Sequence, residues 1–235
     1  MDKRFSAKKI LVAGGTGGLG RAVSLAFLEA GATVIVTYRS QAEFDALKSS
    51  AGANAAQLEG HIVNVLDEAA LKTFVSGLIA KQGRLDALVN AVGGYSAGAP
   101  LWEMDAKTLE QMLSLNLYAG YWLARVVVPI MLKQGSGAIV NVAATAAFNH
   151  MASASEYVAS KAAAAAMMNS LAADLKGSGV RANSILPSII DTAANRQAMP
   201  NADHAKWPKP EEIARVILFL CSEDAKLVHG AAIPV

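Results

Sequence analysis

Tyr157 and Lys161 stand four residues apart in Glu156–Lys176, an Ala-rich stretch whose pattern predicts a helix, so both side chains belong to one face. A free phenol ionises at about pH 10, and a neighbouring ammonium favours the phenolate. Such a pair makes a hydroxyl that gives or takes a proton close to neutrality, which is general acid–base chemistry. A second chemical feature lies near the start of the chain, in Ala13-Gly14-Gly15-Thr16-Gly17-Gly18-Leu19-Gly20. Glycines there let the backbone turn sharply and approach a pyrophosphate, which backbone N–H groups and a helix N-terminus then hold. A third is Asn116 in Leu115-Asn116-Leu117-Tyr118-Ala119-Gly120, an amide where the pattern otherwise reads as helix interior. His61, His204 and His229 are scattered without metal-ligand spacing, so no metal site is expected. Gly135-Ser136-Gly137 is too short for a Gly-x-Ser-x-Gly nucleophile elbow.

These residues need a frame, and the hydrophobic pattern supplies one. Short apolar runs at Ile10–Ala13, Thr33–Thr37, Gln57–Val65, Leu85–Asn90, Ala138–Val142, Arg181–Leu186 and Ala232–Val235 predict strands. They alternate with helical stretches at Gly18–Ala30, Ala42–Ser50, Glu68–Gln82, Ala106–Lys133, Glu156–Lys176 and Pro210–Cys221. The alternation predicts an α/β fold, a single Rossmann-type doubly wound sheet of about seven parallel strands with helices on both faces. No linker, repeat or charge run interrupts it, so residues 9–235 are expected to form one domain behind a polar tail, residues 1–8. Pro187–Lys209 lacks a clear period and is expected to be a loop that closes over substrate. In folds of this kind ligands bind beyond the carboxyl ends of the strands, and the glycine loop directly follows the first of them.

Composition narrows the field further. Of the 235 residues 53% are hydrophobic and 17% charged, with a net charge of +2, which is ample for a core and offers no nucleic-acid footprint. The single cysteine, Cys221, excludes a disulfide within the chain and fits a reducing compartment. Apolar runs such as Val126–Leu132 read as too short to span a bilayer, and the residues before Ile10 are polar. Neither a membrane anchor nor a leader is expected, and the cytoplasm is the expected location.

At the end of the second strand, where a dinucleotide fold meets the adenosine ribose, the sequence runs Val36-Thr37-Tyr38-Arg39-Ser40. An acid here would bind both ribose hydroxyls and repel a 2′-phosphate. Tyr38 occupies that place, and Arg39 is a candidate phosphate partner, so NADP(H) is expected over NAD(H).

The spacing of Gly14, Gly18 and Gly20 resembles the Thr-Gly-x-x-x-Gly-x-Gly loop of the short-chain dehydrogenase/reductase family, with Ala13 in place of Thr. Tyr157-Val158-Ala159-Ser160-Lys161 is similar to that family's Tyr-x-x-x-Lys signature, and Asn116 to its catalytic Asn. Asn90-Ala91-Val92-Gly93 resembles its Asn-Asn-Ala-Gly element, and Pro187-Ser188-Ile189-Ile190-Asp191-Thr192 its Pro-Gly-x-x-x-Thr loop. The likeness runs from Lys9 to Val235 and implies an oxidoreductase that moves hydride between nicotinamide and a small carbonyl or alcohol, as a homodimer or homotetramer. By it, Tyr157 transfers the proton, Lys161 lowers the tyrosine pKa and binds the nicotinamide ribose, and Asn116 holds a proton-relay water. The cofactor would touch Gly14, Thr16, Gly18, Leu19 and Gly20 in the loop, then Tyr38, Arg39 and Ser40 after the second strand. It would continue along Asn64 and Val65, Asn90, Ala91 and Gly93, and end against Tyr157, Lys161, Pro187, Ile190 and Thr192.

In that family a catalytic Ser stands thirteen residues before the Tyr, and here the position is Ala144. The Ser hydroxyl donates to the substrate oxygen where charge develops, so its loss should cost carbonyl reduction about 2–4 kcal/mol, by analogy with other oxyanion donors. Three remedies are open. Thr145 is one residue on; Ser153 or Ser155 precedes Tyr157; or the substrate needs no donor, as with the quinonoid ring reduced by the family's dihydropteridine reductases. A chain that binds NADP(H) without turnover is a further alternative. Tyr95, Trp102, Phe148, His150 and Met151 are expected on loops that wall the substrate crevice.

Overall fold

A computed structural model describes residues 3–235. Its strands are β1 (Lys9–Ala13), β2 (Thr33–Tyr38), β3 (Leu58–Ile62), β4 (Ala87–Asn90), β5 (Gly137–Val142), β6 (Val180–Leu186) and β7 (Ala232–Pro234). They form one parallel sheet in the order β3-β2-β1-β4-β5-β6-β7. The direction of winding reverses between β1 and β4, which opens a crevice at their carboxyl ends. Register keeps those ends level: Ala13 pairs with Thr37 and with Asn90, and Asn90 with Asn141.

The central strands are apolar throughout because both of their faces are covered. On one face α1 (Gly18–Glu29) and α8 (Pro210–Cys221) bring Val23, Phe27, Ile213 and Ile217 onto Ile10, Val12, Val34 and Val36. On the other, α3 (Glu68–Gln82), α5 (Ala119–Gln134) and α6 (Ser155–Asp174) bring Leu71, Val75, Leu123, Val127 and Met168 onto Leu11, Ile35, Leu88 and Ile139. Each such side chain contributes about 1.5–3 kcal/mol on burial. The shorter α2 (Gln41–Ala51) flanks β2 and β3.

The structure corrects several expectations. The single helix expected over Ala106–Lys133 is divided into α4 (Ala106–Leu113) and α5 by a π turn, Ser114–Tyr118, which contains Asn116. The third strand stops at Ile62, and Asn64 accepts a hydrogen bond from the Leu66 N–H (3.1 Å), turning the chain two residues later. Pro187–Lys209 is not wholly a loop. Thr192 accepts from the Asn195 N–H (3.2 Å) and thereby caps α7 (Ala193–Ala198), and a short 3-10 turn follows at His204–Lys206. Within the segment expected as a polar tail, Phe5 is buried edge-on against Phe27, ring centroids 5.0 Å apart. The helical run 106–134 is long and apolar enough, by composition, to cross a bilayer. In this fold its Leu123, Val126, Val127 and Met131 face the sheet.

Candidate active site

The glycine loop is built so that few side chains fit. Gly14 has φ +71°, in the left-handed region that favours glycine. A Cβ at Gly20 would lie 2.1 Å from the Gly14 carbonyl oxygen, and one at Gly15 would lie 2.5 Å from Val36 Cγ1. The Gly14 N–H donates to Thr37 Oγ1 (3.1 Å), tying the loop to β2. Helix α1 starts from Gly17 with no side-chain cap, so its first N–H groups are left for a ligand. Leu19 is buried beneath. Beside the loop is a cavity of about 430 Å³, lined by Gly14, Thr16, Gly17, Tyr38, Arg39, Asn64, Val65, Ala91 and Gly93 among others. A void kept open by glycines at an uncapped helix N-terminus fits a pyrophosphate.

At the outer end of this cavity the side chains are arranged differently from the expectation. Tyr38 is buried, stacked on Phe44 at 4.7 Å, and its hydroxyl donates to Gln41 Oε1 (2.7 Å). Ser40 caps α2, accepting from the Glu43 N–H (3.4 Å). Arg39 is exposed. Glu43 lines the same cavity and accepts from Thr16 Oγ1 (2.9 Å), so a carboxylate stands at the mouth with Arg39. Glu43 was not among the expected site residues, although Ser40-Gln41-Ala42-Glu43 carries the Ser-x-x-Glu signature of a helix start.

Tyr157 and Lys161 both rise from the first turns of α6. Lys161 is almost completely buried, and its Nζ donates to the Val142 carbonyl at the end of β5 (3.1 Å). Gly93 leaves it room: a Cβ there would lie 3.2 Å from Nζ and 3.0 Å from Asn116 Oδ1. Burial pushes the Lys161 pKa down to about 8. Tyr157 is half-buried, and desolvation, with Tyr95 adding to it, pushes its pKa up to about 12. Burial is the largest influence on both groups, so the net shift of Tyr157 is upward, opposite in sign to the lowering expected from a neighbouring ammonium.

Asn116 is buried and fully engaged. Its Oδ1 accepts from the Gly94 N–H (2.9 Å), and its Nδ2 donates to the Gly94 carbonyl (3.1 Å) and to Ser160 Oγ (2.9 Å). Ser160 in turn donates to the Tyr157 carbonyl (2.8 Å). Ser160 was missed by the sequence reading; its spacing of three from Tyr157 was the available signal. Asn90 does not face the cavity with its side chain, since Nδ2 donates to Asn141 Oδ1 (2.8 Å) and Oδ1 accepts from the Val92 N–H (3.2 Å). Gly120 lets α5 close over this pair; a Cβ there would lie 3.0 Å from Asn90 Nδ2.

Ala144 is buried and brings no donor. Thr145 points away: its N–H and its Oγ1 both donate to the Pro187 carbonyl (3.0 and 3.4 Å). Ser155 opens α6, and Ser153 has φ +56°, its carbonyl accepting from the Gly98 N–H (2.9 Å). The Ile190 carbonyl is taken by the Thr192 N–H (2.8 Å) and by Asn195 Nδ2 (2.8 Å). Thr192 lies on the glycine loop, where a Cβ at Gly18 would meet its Cγ2 at 2.8 Å. Tyr95 is exposed, with its ring edge-on to that of Tyr157 at 4.9 Å between centroids.

Known proteins share the fold and a third or less of the sequence. The chain is 32% identical to the 3-oxoacyl-(acyl-carrier-protein) reductase FabG of Thermotoga maritima, over 98% of this chain and 96% of that one. It is 31% identical to a D-threitol dehydrogenase of Mycolicibacterium smegmatis, over 98% and 92%. Among solved structures, a levodione reductase superposes with a TM-score of 0.92 at 26% identity, covering 98% of this chain and 96% of that one. The profile of the short chain dehydrogenase family matches residues 8–203. With this match spanning most of the sheet and the whole of the crevice's β1, β4 and β5 rim, the chain belongs to the short chain dehydrogenase family.

Proposed function

We propose that this chain is an oxidoreductase that moves hydride between a nicotinamide dinucleotide, NADP(H) in preference to NAD(H), and a small carbonyl or alcohol. One observation carries the reading: the buried Lys161 ammonium, one helical turn from the half-buried Tyr157, lies at the end of β5 against Gly93, which lines the glycine-rich cavity beyond β1 and β4. The named relatives, a reductase and a dehydrogenase, support that class of reaction. Gly14, Thr16, Gly18, Leu19 and Gly20 would hold the pyrophosphate by their backbone, Arg39 and Ser40 a 2′-phosphate, and Asn64 and Val65 the adenine side. Backbone groups of Asn90, Ala91, Gly93, Pro187, Ile190 and Thr192 would line the nicotinamide end. When bound, the dinucleotide supplies or takes up the hydride.

The chain's own part is to move and stabilise a proton. Tyr157 gives its phenolic proton to the substrate oxygen in reduction and takes it back in oxidation. With a pKa near 12 it is held protonated across the neutral range, ready as an acid. Lys161, at about 8, is still mostly charged at pH 7, and its positive charge favours the phenolate as the proton leaves. Asn116 positions Tyr157, through the bond of Ser160 to the Tyr157 carbonyl. The segment from Thr192 through α7 forms the lid. Assembly as a homodimer or homotetramer through α5 and α6, and a cytoplasmic location, complete the proposal; exposed Tyr118, Tyr121 and Leu132 support the first.

A second reading, reduction of a quinonoid or imine-like substrate that needs no Ser donor, is favoured by Ala144 and by the engagement of Thr145 with Pro187. Turnover with NADPH and NADH against ketones, quinones and pterins separates the two. Tyr157→Phe should then lower kcat on the best substrate by about 10²- to 10⁴-fold. Unchanged turnover in Tyr157→Phe would sink the mechanism, and stoichiometric NADPH binding with no turnover across the panel would reassign the chain as a cofactor-binding protein.

A further inference from the structure

Reduction of a carbonyl develops negative charge on the substrate oxygen, and an enzyme that stabilises it needs a hydrogen-bond donor besides the proton donor. Ala144 offers none, and the nearest hydroxyl in sequence, that of Thr145, is committed to the Pro187 carbonyl. Another hydroxyl belongs to the ring packed directly against Tyr157. Tyr95 is 62% exposed, and its ring lies edge-on against that of Tyr157, with centroids 4.9 Å apart and planes at 76°. The backbone under both phenols is held by one amide. Asn116 clamps Gly94, the residue before Tyr95, through two hydrogen bonds, and it reaches the Tyr157 carbonyl through Ser160. The relative placement of the two rings is thus set by a buried polar chain, as a preorganised donor pair requires.

We infer that Tyr95 is a catalytic residue, its phenolic O–H donating a hydrogen bond to the same substrate oxygen that Tyr157 protonates and so replacing the hydroxyl missing at Ala144. Tyr95 keeps its proton throughout; only Tyr157 transfers one. Burial raises the Tyr157 pKa, and the nearness of Tyr95 adds to that rise, as two phenols sharing one site must. This role rests on the reading of the chain as a hydride-transferring enzyme with Tyr157 as its acid.

The test is kinetic, with acetophenone and an aromatic ortho-quinone as probes and the cofactor that turns over faster. Tyr95→Phe keeps the ring and removes only the hydroxyl, and is expected to lower kcat on the ketone by about 10²-fold, as loss of one oxyanion donor does, with the cofactor KM unchanged. Placing a hydroxyl back with Ala144→Ser should shrink the Tyr95→Phe effect to within about threefold, because the two donors serve one oxygen and are not additive. A loss of equal size in both backgrounds means that Tyr95 acts by packing and overturns the inference, as does a Tyr95→Phe enzyme with kcat unchanged. If Ala144→Ser does not fold, Tyr95→His, which retains an aromatic N–H donor, answers the same question: activity well above that of Tyr95→Phe supports the role, and activity equal to it refutes it. Tyr157→Phe run in parallel keeps the two levels apart. Its loss of turnover beside a harmless Tyr95→Phe defeats only the present inference, whereas full activity in Tyr157→Phe defeats the reading beneath it.

Discussion

Replacing Lys161 with methionine should make the protein more stable at neutral pH while removing its activity. The Lys161 ammonium is 5% exposed, has one hydrogen-bond acceptor, the Val142 carbonyl, and among the described residues forms no ion pair with a carboxylate. Burial lowers its pKa from 10.5 to about 8. At pH 7 the folded protein therefore holds a charge that water would hold better, by about 3 kcal/mol for that depression. Methionine fills a similar volume without the charge and forfeits the bond to Val142, worth about 1 kcal/mol, so the net gain at pH 7 is about 2 kcal/mol.

The pH dependence separates this cause from any other. Between pH 8 and 10.5 the unfolded chain keeps its lysine proton and the folded chain loses it, so wild-type stability rises with pH across that window. The advantage of Lys161→Met must shrink over the same interval and vanish or invert near its upper end, where the neutral amine still donates to Val142. Denaturant unfolding of both proteins at fixed concentration, at several pH values from 7 to 10.5, measures the difference directly and cancels groups common to both. A methionine variant no more stable than wild type at pH 7, or a difference that stays constant with pH, would refute the argument from burial.

Two further outcomes test the cofactor end of the cleft. Gly20→Ala should gain about 1 kcal/mol of helix propensity but lose more, about 1–3 kcal/mol net, because its Cβ would meet the Gly14 carbonyl at 2.1 Å. Thermal unfolding and NADPH fluorescence titration should both show the loss, and wild-type behaviour in both would mean the loop has slack. Arg39→Glu should weaken NADPH binding about 10- to 100-fold, the worth of a charge-assisted hydrogen bond, and leave NADH little changed. Equal weakening of both cofactors would remove Arg39 from the 2′-phosphate and leave Glu43, which shares the cavity, to set the preference.

The frame was legible in the sequence because its central strands are covered on both faces and so appear as short apolar runs between longer amphipathic ones; Ile10–Ala13 and Ala138–Val142 could be read without knowing what covers them. The π turn at Asn116 was not, since a helical period over 28 residues is insensitive to one displaced turn. Spacing likewise assigned Tyr157 and Lys161 to one face of α6 but carried no information on depth. Depth decides the net sign of both pKa shifts here, since desolvation is the largest cause of each. Tyr38 illustrates the same limit: it ends β2, yet stacking on Phe44 and the bond to Gln41 turn the side chain into its own packing. At Ala144 the consequence of a missing hydroxyl depends on what stands beside Tyr157. That is Tyr95, two places beyond Gly93 and part of no motif, its ring edge-on to that of Tyr157 while Asn116, further along the chain, grips the neighbouring Gly94. Local rules identify which atoms are available for chemistry, and long-range polar contacts of this kind decide which of them meet.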